Sequence, residues 1–256
     1  MKAKDLFETA ETLFTKRSSM LMLWQEQAEN FYPERADFTF RHTLGTDFAS
    51  NLMTSYPLMC RRDLGDQVGT MLRPTAKAWF ETAPIDPRRE NNDATRWLQW
   101  SDQVMRRAMY DRRTQFTRTT KEGDHDFACF GQTVISVRIN KNSDGLLYRC
   151  WHLRDCAWQE NEEGKICAIF RKWKPAARDM VRLFGNKVHD EVQKMITINK
   201  PFEEIDCMHM VVEMDMYDGD IDGYDVGQGG TSVKVRRGAT AAERRRYPYV
   251  SIYYDS

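Results

Sequence analysis

Several short stretches of the sequence combine side chains that could bind a metal ion or catalyse a reaction. The first, DGDIDG at residues 218–223, spaces its aspartates as the opening of an EF-hand calcium loop does. Such a loop closes on a bidentate glutamate at its twelfth position, and that position is Gly229 in this chain. The pattern therefore indicates an acidic, solvated turn and not a calcium site.

A second candidate, CWHLRDC at residues 150–156, carries two cysteines and a histidine. These would share one face of a strand only if the strand ran unbroken through Arg154, because side chains alternate between the two faces. Zinc ribbons are normally built on CxxC pairs, and the sequence contains none. A packed hairpin with half-buried cysteines is the better interpretation, so we expect neither a metal nor another cofactor.

Two further stretches concentrate charge. EGDHDF at residues 122–127 surrounds His125 with acids, which could form a metal or acid–base cluster in a nucleic-acid-processing enzyme. Its place at a predicted helix end favours a charged surface terminus instead. A later basic run could contact phosphate or a partner protein, with a solvated loop as the alternative. Its arginines are Arg236, Arg237, Arg244, Arg245 and Arg246.

The remaining catalytic patterns are missing from the sequence. It contains no GxSxG, HExxH or GxxxxGK[ST] motif, so no catalytic residues are predicted. The 38 basic and 38 acidic residues balance to a formal net charge of zero, which argues against binding nucleic acid through a general excess of positive charge. Six cysteines without an apolar secretion signal predict reduced thiols and a cytoplasmic setting. No apolar run approaches the roughly 20 residues that span a bilayer.

The spacing of apolar residues predicts that helices form the first half of the chain. One long amphipathic helix is expected from the N-terminus to Pro33. A second is expected from about Pro57 to the residue before Pro74, because proline is tolerated in a first turn and ends a helix before it. A third is expected to begin with Asn91, Asn92 or Asp93 as its cap, and a fourth spans about 114–127.

Large aromatic residues follow the second predicted helix in LRPTAKAWFETAP, residues 72–84. We expect Trp79 and Phe80 to be structural anchors that pack this extended segment onto the helical layer. A base-stacking platform would need solvent-facing rings and several nearby positive charges, and Lys77 is the one candidate. Trp97, on the apolar stripe of the third helix, is expected to be a further anchor.

Near Cys129 the period of the apolar residues changes from helical to alternating. The change predicts an antiparallel meander of about four strands, with turns at NSDG (142–145) and NEEG (161–164). Two short helices, another strand and a terminal strand at 247–254 follow. Because the last residues favour a turn, we expect the chain to continue or a neighbouring subunit to supply the partner of the terminal strand.

These elements predict an α+β fold, with an N-terminal helical layer followed by an antiparallel β meander. The predicted parts are a helical part at 1–127, a β-rich part with two short helices at 128–217, and an exposed loop with a terminal strand at 218–256.

The order of the segments is more informative than any single motif. The chain contains, in order, ENFYPERADF, LRPTAKAWFETAP, DFACFGQTVISV, LYRCWHLRDCAWQENEEGKICAIFRKWK, MHMVVEMDMY and YPYVSIYYD. This succession resembles the portal, or head-to-tail connector, proteins of tailed bacteriophages, in particular the connectors of short-tailed phages. The matched segments correspond to the wing region of such subunits, whereas their stem, clip and channel-lining elements have no counterpart in this sequence.

The resemblance implies a structural virion protein and not an enzyme. It implies a homo-oligomeric ring, expected to be a dodecamer, at one capsid vertex, assembled in the host cytoplasm without a membrane. The implied partners are the major capsid and scaffolding proteins, the terminase, tail adaptors and the double-stranded DNA that passes through the ring. The alternatives are another virion or tail interaction protein, or a metal-dependent nucleic-acid-processing enzyme built on His125.

Overall fold

The structure, a computed structural model, has the mixed α+β fold that the sequence predicts, with helices preceding antiparallel strands. The residues it describes separate into two compact units, one formed by residues 3–18, 154–217 and 249–255, the other by residues 19–153. It describes residues 3–41, 43, 45, 47, 49, 52–74, 77–86, 88, 91–140, 144–185, 188, 190–217 and 249–255.

The predicted long N-terminal helix is in fact two helices, α1 (Ala3–Lys16) and α2 (Ser18–Phe31). The apolar stripe that suggested one helix serves two separate cores: Leu6 and Ala10 are buried in the first unit, whereas Trp24 and Ala28 are buried in the second. The break lies at Arg17, whose Nη2 donates to the backbone oxygen of Arg154 at 3.3 Å. Tertiary packing therefore overrides the continuous helical pattern.

The other predicted helices of the second unit are present. Helix α3 runs Tyr56–Leu72 and α4 runs Asn92–Met109. Asn91 caps α4, because its side-chain oxygen accepts the backbone N–H of Ala94 at 2.8 Å. Helix α5, Phe116–Phe130, extends beyond the predicted end and stops at Gly131, which adopts the left-handed conformation that glycine tolerates.

The four predicted strands are present and antiparallel, but they belong to two different sheets and not to one meander. Strands β1 (Val134–Ile139) and β2 (Leu146–Trp151) form a two-stranded antiparallel hairpin in the second unit. A short 3₁₀ turn at Leu153–Asp155 then ends this pairing. The following strands form a separate sheet in the first unit.

That sheet has the strand order β3-β4-β5-β6 and is antiparallel throughout. The terminal strand β6 pairs with β5 along its length. The expectation that the partner of β6 lies outside the chain is therefore wrong for the side of β6 that faces β5. Leu6 and Ala10 of α1 pack against Phe170 and Met210 in the core of the unit. The bounds are β3 Cys156–Glu160, β4 Ile166–Trp173, α6 Ala177–Phe184, α7 Asp190–Thr197, β5 Cys207–Glu213 and β6 Tyr249–Asp255.

The segment after α3 is held to the helices of its own unit by a hydrogen bond and by aromatic contacts. The Trp79 ring lies parallel to that of Phe116 at 6.4 Å and edge-on to that of Phe80 at 4.8 Å, and its Nε1 donates to Tyr110 Oη at 3.2 Å. Both Trp79 and Phe80 are half-buried. This geometry accords with a packing role for both rings.

We expect Trp79→Ala to lower the free energy of unfolding by about 2 kcal/mol. In the folded protein the half-buried indole keeps roughly 100 Å² of apolar surface away from water, and the substitution loses that contribution. Urea denaturation of both proteins would measure this difference. Trp79→Phe should recover most of the loss but not the Nε1 hydrogen bond to Tyr110. An unchanged denaturation curve for Trp79→Ala would contradict the packing role.

Candidate interaction surfaces

The EGDHDF stretch is not a surface helix terminus, as the sequence suggested, but a buried part of α5. Asp126 is 1 % exposed and His125 is also buried. Two glycines of α3 allow this close approach of α3 and α5. A Cβ at Gly65 would lie less than 3.0 Å from the imidazole of His125, and one at Gly69 would meet the carboxylate of Asp124. This helix–helix contact covers His125 and Asp124.

Arg35 neutralises the buried carboxylate of Asp126 in a bidentate ion pair. Its Nε donates to Oδ1 at 3.0 Å and its Nη2 to Oδ2 at 2.7 Å. Burial raises the pKa of Asp126, and the guanidinium opposes this shift without cancelling it. His152 Nε2 donates to the backbone oxygen of Arg35 at 3.2 Å and so helps to position the arginine. The cluster therefore holds α5 to the turn that follows α2.

Cys150 touches the same cluster, but its thiol is not poised for nucleophilic chemistry. Its Sγ donates to Asp126 Oδ2 at 3.5 Å. Burial, followed by the nearby Asp126 carboxylate, raises the pKa of Cys150 to about 12. Because the thiolate is the reactive form, this thiol is inert at neutral pH. The cluster has the chemistry of a structural ion pair.

His125 is likewise placed for packing. Burial lowers its pKa, and the positive charge of Arg61 acts in the same direction. Its Nε2 faces Asp66 Oδ1 at 3.5 Å, while its ring lies against Gly65. Two cysteines that could serve as metal ligands are not in the unit of this histidine, because Cys156 and Cys167 belong to β3 and β4 of the other unit. Within the described residues, no three histidine, cysteine, aspartate or glutamate side chains are grouped to hold a metal ion.

The other predicted sites on the chain fall outside the described residues. These are the DGDIDG turn at 218–223 and the arginines Arg236, Arg237, Arg244, Arg245 and Arg246. Among the helices that the structure does describe, none is both long enough and apolar enough to cross a bilayer.

Trp97 is not a buried anchor, because 62 % of its surface is exposed. Helix α4 is apolar on two sides. One side, which includes Leu98 and the buried Asp102, packs within the unit, and Asp102 accepts the backbone N–H of Thr82 at 3.0 Å. The second side faces solvent, and Trp100 is 59 % exposed on it. We call this side the α4 face; its residues are Asp93, Arg96, Trp97, Trp100, Val104, Arg107 and Ala108.

Helix α3 also has an apolar side that none of the described residues of its own unit covers. Its packed side contains Gly65 and Gly69, which meet α5. On the opposite side, Tyr56, Met59 and Met71 expose most of their surface. We call this side the α3 face; its residues are Tyr56, Met59, Cys60, Asp63, Leu64, Gln67, Thr70 and Met71.

Contiguous exposed apolar surface of this kind commonly marks a protein–protein interface, with tryptophan and methionine enriched at its centre. The sequence indicated that α4 is amphipathic, but not which of its apolar sides packs internally. Trp97 and Trp100 are three positions apart and therefore share one side of the helix, whereas Leu98 and Met109 lie on the packed side. This tryptophan pair was the feature of the sequence that could have indicated the exposed side.

Comparison with known proteins identifies the class of protein that exposes these surfaces. A search of curated protein sequences finds no match. The family model of the bacteriophage head to tail connecting protein matches residues 3–256, which is nearly the whole chain. The chain therefore belongs to the family of bacteriophage head-to-tail connecting proteins, structural proteins of the virion.

Proposed function

We propose that the protein is the ring-forming subunit of a phage portal, located at one capsid vertex, through which DNA is packaged and ejected. The family match supports a connector between head and tail. The observation that carries the ring is the presence of two separate exposed apolar faces, on α3 and α4, in a single unit. A subunit that contacts two neighbours needs two such surfaces.

In this proposal the ring is a dodecamer that assembles in the host cytoplasm. It docks the terminase during packaging and the tail adaptors afterwards, and it contacts the major capsid and scaffolding proteins. The neutral overall charge suits a ring through which DNA slides, because strong phosphate pairing would hold the duplex. Arg236, Arg237, Arg244, Arg245 and Arg246 are the proposed contacts to DNA or to a partner protein.

Electron microscopy of the purified protein in negative stain tests the proposal. Rings with a central hole are expected, and mass photometry of the same sample should give a discrete oligomer. A protein that stays monomeric at all concentrations would contradict ring formation. An oligomer of a different symmetry, or one without a hole, would instead favour the second candidate, another interaction protein of the virion or tail.

The enzyme alternative has a separate test. A metal-dependent nuclease built on His125 requires a divalent ion to bind near that residue. A shift of the melting temperature with Mg²⁺ or Mn²⁺ that His125→Ala abolishes would support it. We expect the ions to leave the melting temperature unchanged, since His125 is covered by α3.

A further inference from the structure

The α3 and α4 faces carry opposite charges around their apolar residues. The α3 face has Asp63 near its centre, with Asp66 at its edge and Arg62 beyond that edge. Asp66 is paired with Lys121 at 3.0 Å, whereas Asp63 has no ion-pair partner among the described residues. The exposed carboxylate of Asp63 is therefore available to a cation from another molecule.

The α4 face supplies such cations. Arg96 and Arg107 lie about three turns apart on the exposed side of α4 that also carries Trp97 and Trp100. Neither arginine pairs with an acid among the described residues. The acid on this face is Asp93, in the first turn of α4, where the helix dipole already stabilises a negative charge. The two faces are therefore complementary in charge as well as in apolar character.

The symmetry of a ring determines how such faces can be used. A dimer with two-fold symmetry joins one patch to the same patch of its partner, whereas a larger closed ring joins two different patches head to tail. An acidic apolar face and a basic apolar face in one subunit fit the second arrangement. A contact between two α4 faces would instead bring like-charged arginines together.

We propose that the α4 face of one copy of this chain packs against the α3 face of the next copy in the ring. This inference rests on the proposed ring-forming function. It places the arginines of the α4 face of one copy opposite Asp63 of its neighbour. The α3 face also contains a shallow depression of about 300 Å³, lined by Asp63, Asp66, Gln67, Thr70 and Met71. Tryptophan is among the residues most typical of interface hot spots, and the α4 face presents two of them.

Mixing two assembly-defective variants tests the head-to-tail contact. The α4-face variant is Trp97→Ser with Trp100→Ser, and the α3-face variant is Met59→Ser with Met71→Ser. All four side chains are exposed, so both variants should keep the fold, which circular dichroism and thermal melting would verify. Each variant alone is expected to weaken self-association at least about tenfold and to run as a monomer.

The equimolar mixture should form a dimer of one copy of each variant and nothing larger. In that dimer the intact α3 face of the first variant binds the intact α4 face of the second, and the two mutated faces stop further growth. Size-exclusion chromatography with light scattering measures the mass. A fluorescent label on one variant, with a pull-down tag on the other, shows whether the dimer is mixed. A mixed dimer supports the proposal.

Other outcomes overturn it in distinguishable ways. If the wild-type protein forms rings and either variant still does, the assigned faces are wrong while the proposed function stands. If both variants are monomeric but the mixture yields no mixed dimer, the contact is not head to tail between these two faces. A monomeric wild-type protein would overturn the ring and this inference together. The matched control, Met53→Ser with Ile85→Ser, changes two fully exposed apolar residues outside both faces and should leave assembly intact.

A charge exchange gives a second, independent readout. Assembly should be weakened by Asp63→Arg alone, and also by the pair Arg96→Asp and Arg107→Asp. Combining all three changes should raise the affinity of self-association at least about tenfold above that of either variant. Arg112→Asp is the control, because Arg112 is exposed on the same unit but lies outside the two faces. Failure of the combined variant to recover any assembly, with its fold intact, would contradict the charge pairing.

Discussion

Replacing Arg35 by methionine is expected to destabilise the second unit by about 3–5 kcal/mol, which is the cost of leaving a buried charge without its partner. Methionine keeps the apolar length of the side chain but removes both hydrogen bonds to Asp126. The carboxylate of Asp126 is almost completely buried, so water cannot replace the guanidinium. Urea unfolding at neutral pH, followed by circular dichroism, would measure the loss.

The same variant should become relatively more stable as the pH falls. In the wild-type protein, burial raises the pKa of Asp126 above its ordinary value of 3.8, and Arg35 opposes this rise. Without Arg35 the pKa rises further. Between pH 3.8 and this raised pKa, Asp126 binds more protons in the folded state than in the unfolded state. Protonation of Asp126 therefore stabilises the folded protein at low pH, and this stabilisation is lost as the pH rises through the folded-state pKa. The deficit of Arg35→Met should therefore shrink as the pH falls from neutral through the raised pKa of Asp126.

A surface pair on the same helix provides the control. Arg118 Nε lies 3.0 Å from Glu122 Oε1, but both side chains are exposed. Arg118→Met should therefore change the free energy of unfolding very little, at either pH. If Arg35→Met also had little effect, or if its deficit did not depend on pH, the ion pair would not be what holds α5 to the turn after α2.

Adding a side chain at Gly65 is expected to destabilise the protein by about 3 kcal/mol, at the upper end of the cost of overpacking. The Cβ of Gly65→Val would collide with the imidazole of His125, and neither the helix α3 nor the buried ring can move away freely. The better helix propensity of a residue other than glycine offsets only part of this cost. Thermal and urea unfolding of Gly65→Val would measure it.

A double-mutant cycle identifies the clash as the cause. Because His125→Ala removes the ring, Gly65→Val should cost clearly less in that background than in the wild-type background. Gly69→Val is the comparison on the same helix face. Its new Cβ meets the flexible carboxylate of Asp124, which can shift, so the cost should be smaller. Equal effects at Gly65 and Gly69, unaltered by His125→Ala, would show that the Gly65–His125 contact is not tight.

Features with a local cause were predictable from the sequence. The end of α3 before Pro74 and the cap of α4 depend on residues next to each other in the chain. The structure confirms the first, and it identifies Asn91 as the cap among the three candidates Asn91, Asn92 and Asp93. Alternating polarity correctly indicated β1 and β2, but alternation does not say which strands share a sheet. The division of the meander into two sheets follows from contacts distant in sequence.

The candidate interfaces were predictable only in part, for a related reason. A helical stripe shows that one side of α4 is apolar, whereas the exposure of Trp97 depends on what else the fold places over that stripe. The pairing of Arg35 with Asp126 joins residues 91 positions apart, and the sequence contains no local signal for it. The buried environment of His125 arises in the same way, from two glycines on another helix.

The break between α1 and α2 has a consequence for the order of folding during synthesis. The described part of the second unit, residues 19–153, is continuous in sequence, so its internal contacts can form once residue 153 has left the ribosome. Helix α1 packs on Phe170 and Met210, which are translated far later. Until then its apolar side, including Leu6, lacks the core that buries it in the finished protein. We therefore expect a chaperone that recognises exposed apolar segments to bind α1 in a nascent chain that has not yet reached Phe170.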